Sequence, residues 1–319
     1  MTRLLSGIIG LAIADALGVP AEFQSRLTLE EHPIEDMQDG GSWNQPKGTW
    51  SDDTAMTLAT IDALGKNDWK VTDKCLLDIM KNFSEWYLDG KYAVGGNRFD
   101  IGNTCRDAIV TYINLKDNYL KELKKTRANE KYGNGALMRI LPCAFLQNVE
   151  DIRKISSLTH NNFVCDVASE YYVAFIRGLM HGYSKDIVYK NNTICLENTL
   201  KEGTKDEQKR FSRLVDLSFN KMDRSKIRSS GYVIDTLEAA VWCFMNTNNY
   251  KDCVLTAVNL GEDTDTVAAV SGGLAGVYYG YDGLPKEWLK QLRDIEVLLD
   301  IVKNSCDSYY NGKENKDEV

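Results

Sequence analysis

The chain has 319 residues, with 38 Lys and Arg against 46 Asp and Glu for a formal net charge of −8, and a sequence pI of about 5.1. That balance leaves no broad basic surface, so backbone-driven nucleic-acid binding is disfavoured. Apolar residues make up 43%, as in an ordinary globular enzyme, and the length allows one large domain or two small ones.

The opening stretch MTRLLSGIIGLAIADALG is apolar. Leu4, Leu5, Ile8, Ile9, Ala12 and Ile13 fall on one face of a helix over 4–17. Asp15 interrupts the run and chemistry-bearing residues follow it, so it reads as a core helix rather than a signal peptide. Ser51-Asp52 has the form of a cap and predicts a helix over 53–64; Thr72 predicts another, through Trp86, which Gly90 ends. Further helical windows fall at 104–115, 135–147, 163–181, 235–246, 250–260, 265–279 and 286–302. Strand signals are scarce, only 5 prolines occur, and no strand–helix alternation repeats. The expectation is an all-α protein, one compact multi-helix domain over 1–305. Residues 184–230 are polar with weak periodicity and predict a peripheral helical excursion, and 306–319 predict a flexible tail. The late apolar run TVAAVSGGLAGVYYG is too short and too polar-flanked to span a bilayer, so no membrane is expected. The 8 cysteines form no CxxC pair and have no His at zinc-finger spacing. They read as small, reduced core residues of a cytoplasmic protein.

Gly- and Asn-rich loops at 39–50, 89–103 and 129–135 separate the helices, and such loops are where functional groups concentrate. Two short segments carry most of the chemistry: Gly48-Thr49-Trp50-Ser51-Asp52-Asp53-Thr54 and Gly261-Glu262-Asp263-Thr264-Asp265-Thr266. Each sets carboxylates and hydroxyls where a helix begins. Hard cations such as Mg²⁺ and Mn²⁺ take oxygen ligands, and two half-shells brought together would make a binuclear site. Helix capping accounts for either segment alone. One cap needs one acceptor, however, and the two segments hold five acids between them. Glu22, in a Gly-Pro turn region, would by itself be a solvated surface residue. By itself, Gly133-Asn134-Gly135-Ala136 is a turn followed by a helix cap.

Together these segments resemble the ADP-ribosylglycohydrolase family, and within it the bacterial ADP-ribosyl-[dinitrogen reductase] glycohydrolases. The likeness is collinear from Gly7 to about Gly280 through GIIGLAIADALGVPAEF, GTWSDDTAM, FDIGNT, YGNGALMRILP, LTH, SSGYVIDTLEAA and GEDTDTVAAVSGGLAG. It weakens over 111–130 and 184–225. The resemblance implies a compact helical bundle around a cleft with two divalent cations, Mg²⁺ or Mn²⁺. It implies Ser51, Asp52 and Asp53 as ligands from the first cluster and Asp263, Asp265 and Thr266 from the second, with Asp265 bridging. Ser51 stands where many members have Thr, and either hydroxyl can donate a lone pair. Glu22 becomes the acid–base residue or an outer-sphere ligand, with Asp100 as rival for the acid–base role.

The same resemblance assigns substrate contacts. Gly133, Asn134, Gly135 and Ala136 would offer backbone N–H groups to a diphosphate at a helix start. Arg139, about a turn into that helix, would neutralise phosphate or pair with an acid elsewhere. Tyr232 would pack against the nucleotide, and His160 and Asn103 would face the ligand. The implied reaction releases ADP-ribose from a modified protein or a small molecule through an oxocarbenium-like transition state. An arginine linkage is expected first. Serine, nucleic-acid-base or small-molecule linkages, or a non-catalytic ADP-ribose-binding or immunity protein that docks through 184–230, are the alternatives. No GxGxxG or GxxxxGK[ST] phosphate loop is present.

Overall fold

Caps written in the sequence start the helices. In the computed structural model, which describes residues 2–126 and 130–314, Thr2 accepts from Leu5 N at 3.3 Å and opens α1 (Arg3–Gly18). The short α2 (Arg26–Glu31) follows. Ser51 caps α3 (Asp52–Lys66). Thr72 caps α4 (Asp73–Asp89), which stops at left-handed Gly90 (φ 72°), the usual glycine terminator. Then come α5 (Asn103–Leu115), α6 (Tyr119–Lys125) and α7 (Val149–Ser157). Asn162 caps α8 (Phe163–Met180), Ser184 caps α9 (Lys185–Thr199), and Thr204 closes a capping box on α10 (Lys205–Arg210). The chain ends with α11 (Val233–Met245), α12 (Tyr250–Val258), α13 (Thr264–Tyr279), α14 (Lys286–Gln291) and α15 (Ile295–Glu314). Among the described residues there is no strand, only two isolated bridges, Gly40 with Gln45 and Gly133 with Tyr232. The all-α, single-domain expectation holds.

The centre of the fold is the pair α1 and α13. A Cβ on Gly10 would sit 2.6 Å from Gly272 O, and one on Gly276 would sit 2.5 Å from Ser6 O, so the two backbones touch. Residues Arg3–Ala21 are long and apolar enough to cross a membrane by length and composition, and from Leu4 to Ala21 that stretch is buried inside the fold. Seven cysteines are buried and Cys195 is exposed.

Three expectations need correction. Residues 135–147 form two short 3₁₀ turns, Leu137–Arg139 and Leu141–Phe145, rather than an α-helix. Pro142 lacks the N–H that would bond Met138 O, and that carbonyl accepts from Thr57 Oγ1 at 3.3 Å instead. The 286–302 window breaks into α14 and α15, because Arg293 N donates to Gly48 O at 3.0 Å and Asp294 takes a left-handed φ of 47°. Of the tail expected to be flexible, 306–319, the part through Glu314 continues α15, with Cys306 buried and the Tyr309 ring stacked on Phe145 at 4.2 Å, and 315–319 lie outside the described residues. Within 184–230, α9, α10 and short 3₁₀ turns supply the expected helical excursion, joined by turns and coil, and it is anchored by Phe211, Leu214 and Phe219, all fully buried.

Candidate functional site

The first acid cluster is built around Asp15. This residue, one turn from the end of apolar α1, is fully buried. Its carboxylate accepts from Ser51 N at 2.9 Å, Thr54 N at 3.1 Å and Thr54 Oγ1 at 2.6 Å. It thereby satisfies N–H groups that the start of α3 would leave bare and fixes Ser51, Asp52 and Asp53. Burial pushes its pKa up to about 6, while those donors pull it down. Ser51 Oγ in turn donates to Asp53 Oδ2 at 3.2 Å.

The second cluster arrives on the first turn of α13. A Cβ on Gly18 would lie 2.4 Å from Asp265 Cα, so only a glycine lets the two helix ends come this close. Thr264 Oγ1 donates to Gly18 O at 2.8 Å. The clusters meet directly: Thr266 Oγ1 donates to Asp53 Oδ2 at 3.3 Å, across 213 positions of sequence. Asp265 Oδ1 accepts from Thr266 N at 2.8 Å. As carboxylates, Asp53 Oδ1 and Asp265 Oδ2 are buried with no donor. Bare buried anionic oxygens are costly unless a cation meets them. The pKa values of Asp52, Asp53 and Asp265 are all driven well up, first by burial and then by neighbouring carboxylates.

Glu22 and Asp100 complete the acidic pit. Oxygens of Glu22, Asp100 and Asp265 lie within 4.8 Å of one another, close enough to hold a metal ion. Glu22 Oε2 accepts from Trp43 Nε1, and Glu22 O accepts from Ser42 Oγ at 3.0 Å. Burial, and then the charge of Asp100, raise Glu22 to about 9. Asp100 is raised too, chiefly by burial, and sits at a left-handed φ of 50°. Such backbone strain in a non-glycine residue is typical of functional sites.

These groups open into a cavity of about 410 Å³. Glu22, Asp52, Asp100, Asn103, Gly133, Asn134, Gly135, His160, Asp263 and Thr266 line it. Ser51, Asp53 and Asp265 lie buried beneath them. Asn134 Nδ2 donates to Asp263 Oδ2 at 2.8 Å and so ties the glycine loop to the second cluster. Gly135 is required: a Cβ there would sit 2.6 Å from Cys105 Sγ and 3.0 Å from His160 Cε1. His160 bonds Thr159 Oγ1 through Nδ1 at 2.8 Å. Burial, and then Arg139, lower its pKa to about 3, so it faces the cavity neutral.

Four residues expected at the ligand take the following places. The N–H of Asn134 donates to Gly231 O at 3.1 Å, so it is already used, and no α-helix start follows it. Arg139 is fully buried, bonded to Gly135 O and to Thr159 Oγ1 at 2.9 Å, with Phe83 beneath its guanidinium. It braces the loop from inside the fold. Ala136 is buried, Tyr232 turns its ring toward Tyr132 and its hydroxyl toward Arg210, and Gly231 lines the cavity. Sequence reasoning missed Asp15, Trp43 and Gly18 as site builders. An acid inside an apolar helix was the available signal for Asp15, whereas nothing local marks Trp43.

A family model described as ADP-ribosylglycohydrolase matches residues 1–316. The chain is 32% identical over 302 residues to the ADP-ribosylarginine hydrolase Tri1 of Pseudomonas putida (strain GB-1), covering 92% of this chain and 74% of that one. It is 30% identical over 316 residues to the ADP-ribosyl-[dinitrogen reductase] glycohydrolase of Rhodospirillum rubrum, covering 94% and 92%. A chain of a solved ADP-ribosylglycohydrolase-related protein complex superposes with a TM-score of 0.75 at 26% identity over 97% of each chain. With the two acid clusters joined at one cavity and this match along nearly its whole length, the chain belongs to the ADP-ribosylglycohydrolase family.

Proposed function

We propose that this protein is a divalent-metal-dependent hydrolase that cleaves the N-glycosidic bond between ADP-ribose and an arginine side chain of a modified protein. The observation that carries the metal dependence is the meeting of the clusters at Asp53 and Thr266, with two buried carboxylate oxygens facing no donor. The arginine linkage draws support from relatives named as ADP-ribosylarginine hydrolases at 32% and 33% identity. Ser51, Asp52 and Asp53 on one side and Asp263, Asp265 and Thr266 on the other would hold two cations, Mg²⁺ or Mn²⁺. When bound, these supply Lewis-acid polarisation of water and of ribose hydroxyls.

The chain's own groups do the rest. Water oxygen bonds to the anomeric carbon as the carbon–nitrogen bond breaks, through an oxocarbenium-like transition state. The proton that the water loses passes by way of Glu22, oriented by the Trp43 indole with Asp100 beside it, to the departing guanidine nitrogen. The departing guanidine ends protonated near neutral pH, so a strong general acid is not required. Gly133, Gly135 and neutral His160 shape the wall against which the ligand lies. The test is turnover of a panel of defined linkages (arginine, serine, nucleic-acid base, free adduct) with Mg²⁺ or Mn²⁺ and with chelator. Fastest release from the arginine linkage, abolished by chelation, is expected. Faster release from serine, or release only from a base, overturns the linkage, and full turnover under chelation overturns the metal dependence.

A further inference from the structure

A large aromatic side chain stands in solvent at the mouth of the acidic cavity, held there by strained backbone. Phe23 is 66% exposed at a φ of 69°, a left-handed conformation that a bulky residue adopts only when its surroundings impose it. The imposing contacts are a reciprocal pair of backbone bonds: Phe23 N donates to Glu262 O at 2.8 Å, and Glu262 N donates to Gln24 O at 2.8 Å. Glu262 is itself left-handed, with φ 65°. Two adjacent strained residues thus aim one apolar ring outward, where the hydrophobic effect opposes leaving it.

Phe23 does not stand alone. Its ring lies 6.2 Å from that of Trp43, which lies 5.9 Å from that of Phe99. Trp43 is pre-positioned: its Nε1 donates to Glu22 Oε2, its neighbour Ser42 is tied to Glu22 O, and Gly41 lies against Pro20 so closely that a Cβ would fall 2.5 Å from Pro20 Cα. Phe23 and Trp43 both line the cavity together with Glu22, Asp52 and Asp100. Among the described residues lining it there is no Lys or Arg. Aromatic faces above a carboxylate pit attract a planar cation, which stacks on the rings while its charge faces the acids. The acid–base group must reach the bond that breaks, so the ring hydrogen-bonded to Glu22 lies on the side where the acceptor leaves.

We propose that Phe23, Trp43 and Phe99 form an aromatic collar that binds the planar guanidinium of the acceptor arginine by stacking. This rests on the arginine reading of the preceding section. Phe23 is its most exposed member and its specificity determinant. The collar selects for a flat cation and gives no such gain to a serine hydroxyl or a lysine-like point charge.

The experiment compares wild type with Phe23→Leu, which keeps apolar bulk without a π face, and Phe23→Tyr, which keeps the face. It uses an ADP-ribosyl-arginine peptide, with agmatine as a free alkylguanidinium inhibitor. Phe23→Leu should raise KM and the agmatine inhibition constant by about 3- to 30-fold, the range for a ring–cation contact. Phe23→Tyr should restore both to within about twofold, and melting temperatures should coincide. If wild type cleaves the arginine linkage while Phe23→Leu matches it in KM and in agmatine inhibition, the collar alone is overturned. If wild type cleaves another linkage and leaves arginine uncut, the linkage reading falls and the collar falls with it.

Discussion

Asp53 joins the two ends of the chain through one oxygen, accepting from Ser51 Oγ at 3.2 Å and Thr266 Oγ1 at 3.3 Å. Its other oxygen and Asp265 Oδ2 are left without donors. Asp265→Asn puts an amide where a buried anionic oxygen stands and so removes the charge a cation needs. It should abolish turnover and weaken Mn²⁺ binding by at least tenfold in calorimetry, with the circular dichroism spectrum kept. Full activity in that variant would remove Asp265 from the ligand set. Glu22→Gln keeps shape and loses proton exchange, so kcat should fall by roughly 10²–10⁴ with a smaller change in ADP-ribose affinity. An unchanged kcat would transfer the role to Asp100. Trp43→Phe keeps the ring and deletes the Nε1 donor, so kcat should fall by up to about tenfold, the upper end for one neutral hydrogen bond. Equal kcat values would mean Glu22 needs no such support.

Among elements, the approach of α1 to α13 decides whether the site exists. Gly18 lies where a Cβ would fall 2.4 Å from Asp265 Cα and 2.6 Å from Thr264 O. These are backbone atoms that cannot swing aside. Gly18→Ala should cost about 1–3 kcal/mol of stability by overpacking and weaken Mn²⁺ binding at the same time, because the displaced element carries Asp265 and Thr266. Denaturant melts with and without Mn²⁺ read both effects. A loss of stability with unchanged metal affinity would show that α13 can shift without moving its acids. Arg139 illustrates the same scale. Its place after Gly133-Asn134-Gly135 suggested a ligand contact, but Pro142 ends any α-helix there, and the 3₁₀ turn carries the guanidinium inward to Gly135 O and Thr159.

For the molecule as a whole, the gathered carboxylates set how stability depends on pH. Folding raises Asp15 to about 6, Glu238 to about 7 and Glu22 to about 9, in each case first through burial. The unfolded values lie near 4. The folded state therefore holds more protons between those limits. Its stability from these groups is fully present below about pH 4 and is lost as pH rises through 6, 7 and 9. A bound divalent cation favours the ionised form and opposes that loss. The Tm in chelator should fall from pH 5 to pH 9, and the gain on adding Mn²⁺ should grow over the same interval. A gain that is flat or shrinking with pH would contradict a carboxylate metal site. Glu238→Gln, outside the cavity, should flatten only the part of the chelator curve between about 4.5 and 7.

Helical period, caps and glycine stops are local properties, and for that reason the all-α class and most helices could be read from the chain. Thr72, Asn162 and Gly90 act through neighbours three or four residues away. The two acid clusters were legible for the same reason, since each is a run of consecutive residues, and their kinship to a known family was legible from ordered motifs. The meeting of Asp53 with Thr266 was decided only by the tertiary structure, through glycines that let α1 and α13 touch. So were the anchoring of α3 by Asp15, the hold of Trp43 on Glu22, and the turning inward of Arg139. Each of these depends on where a buried polar group finds its partner, often far along the chain, and such pairing leaves no period or spacing in the sequence.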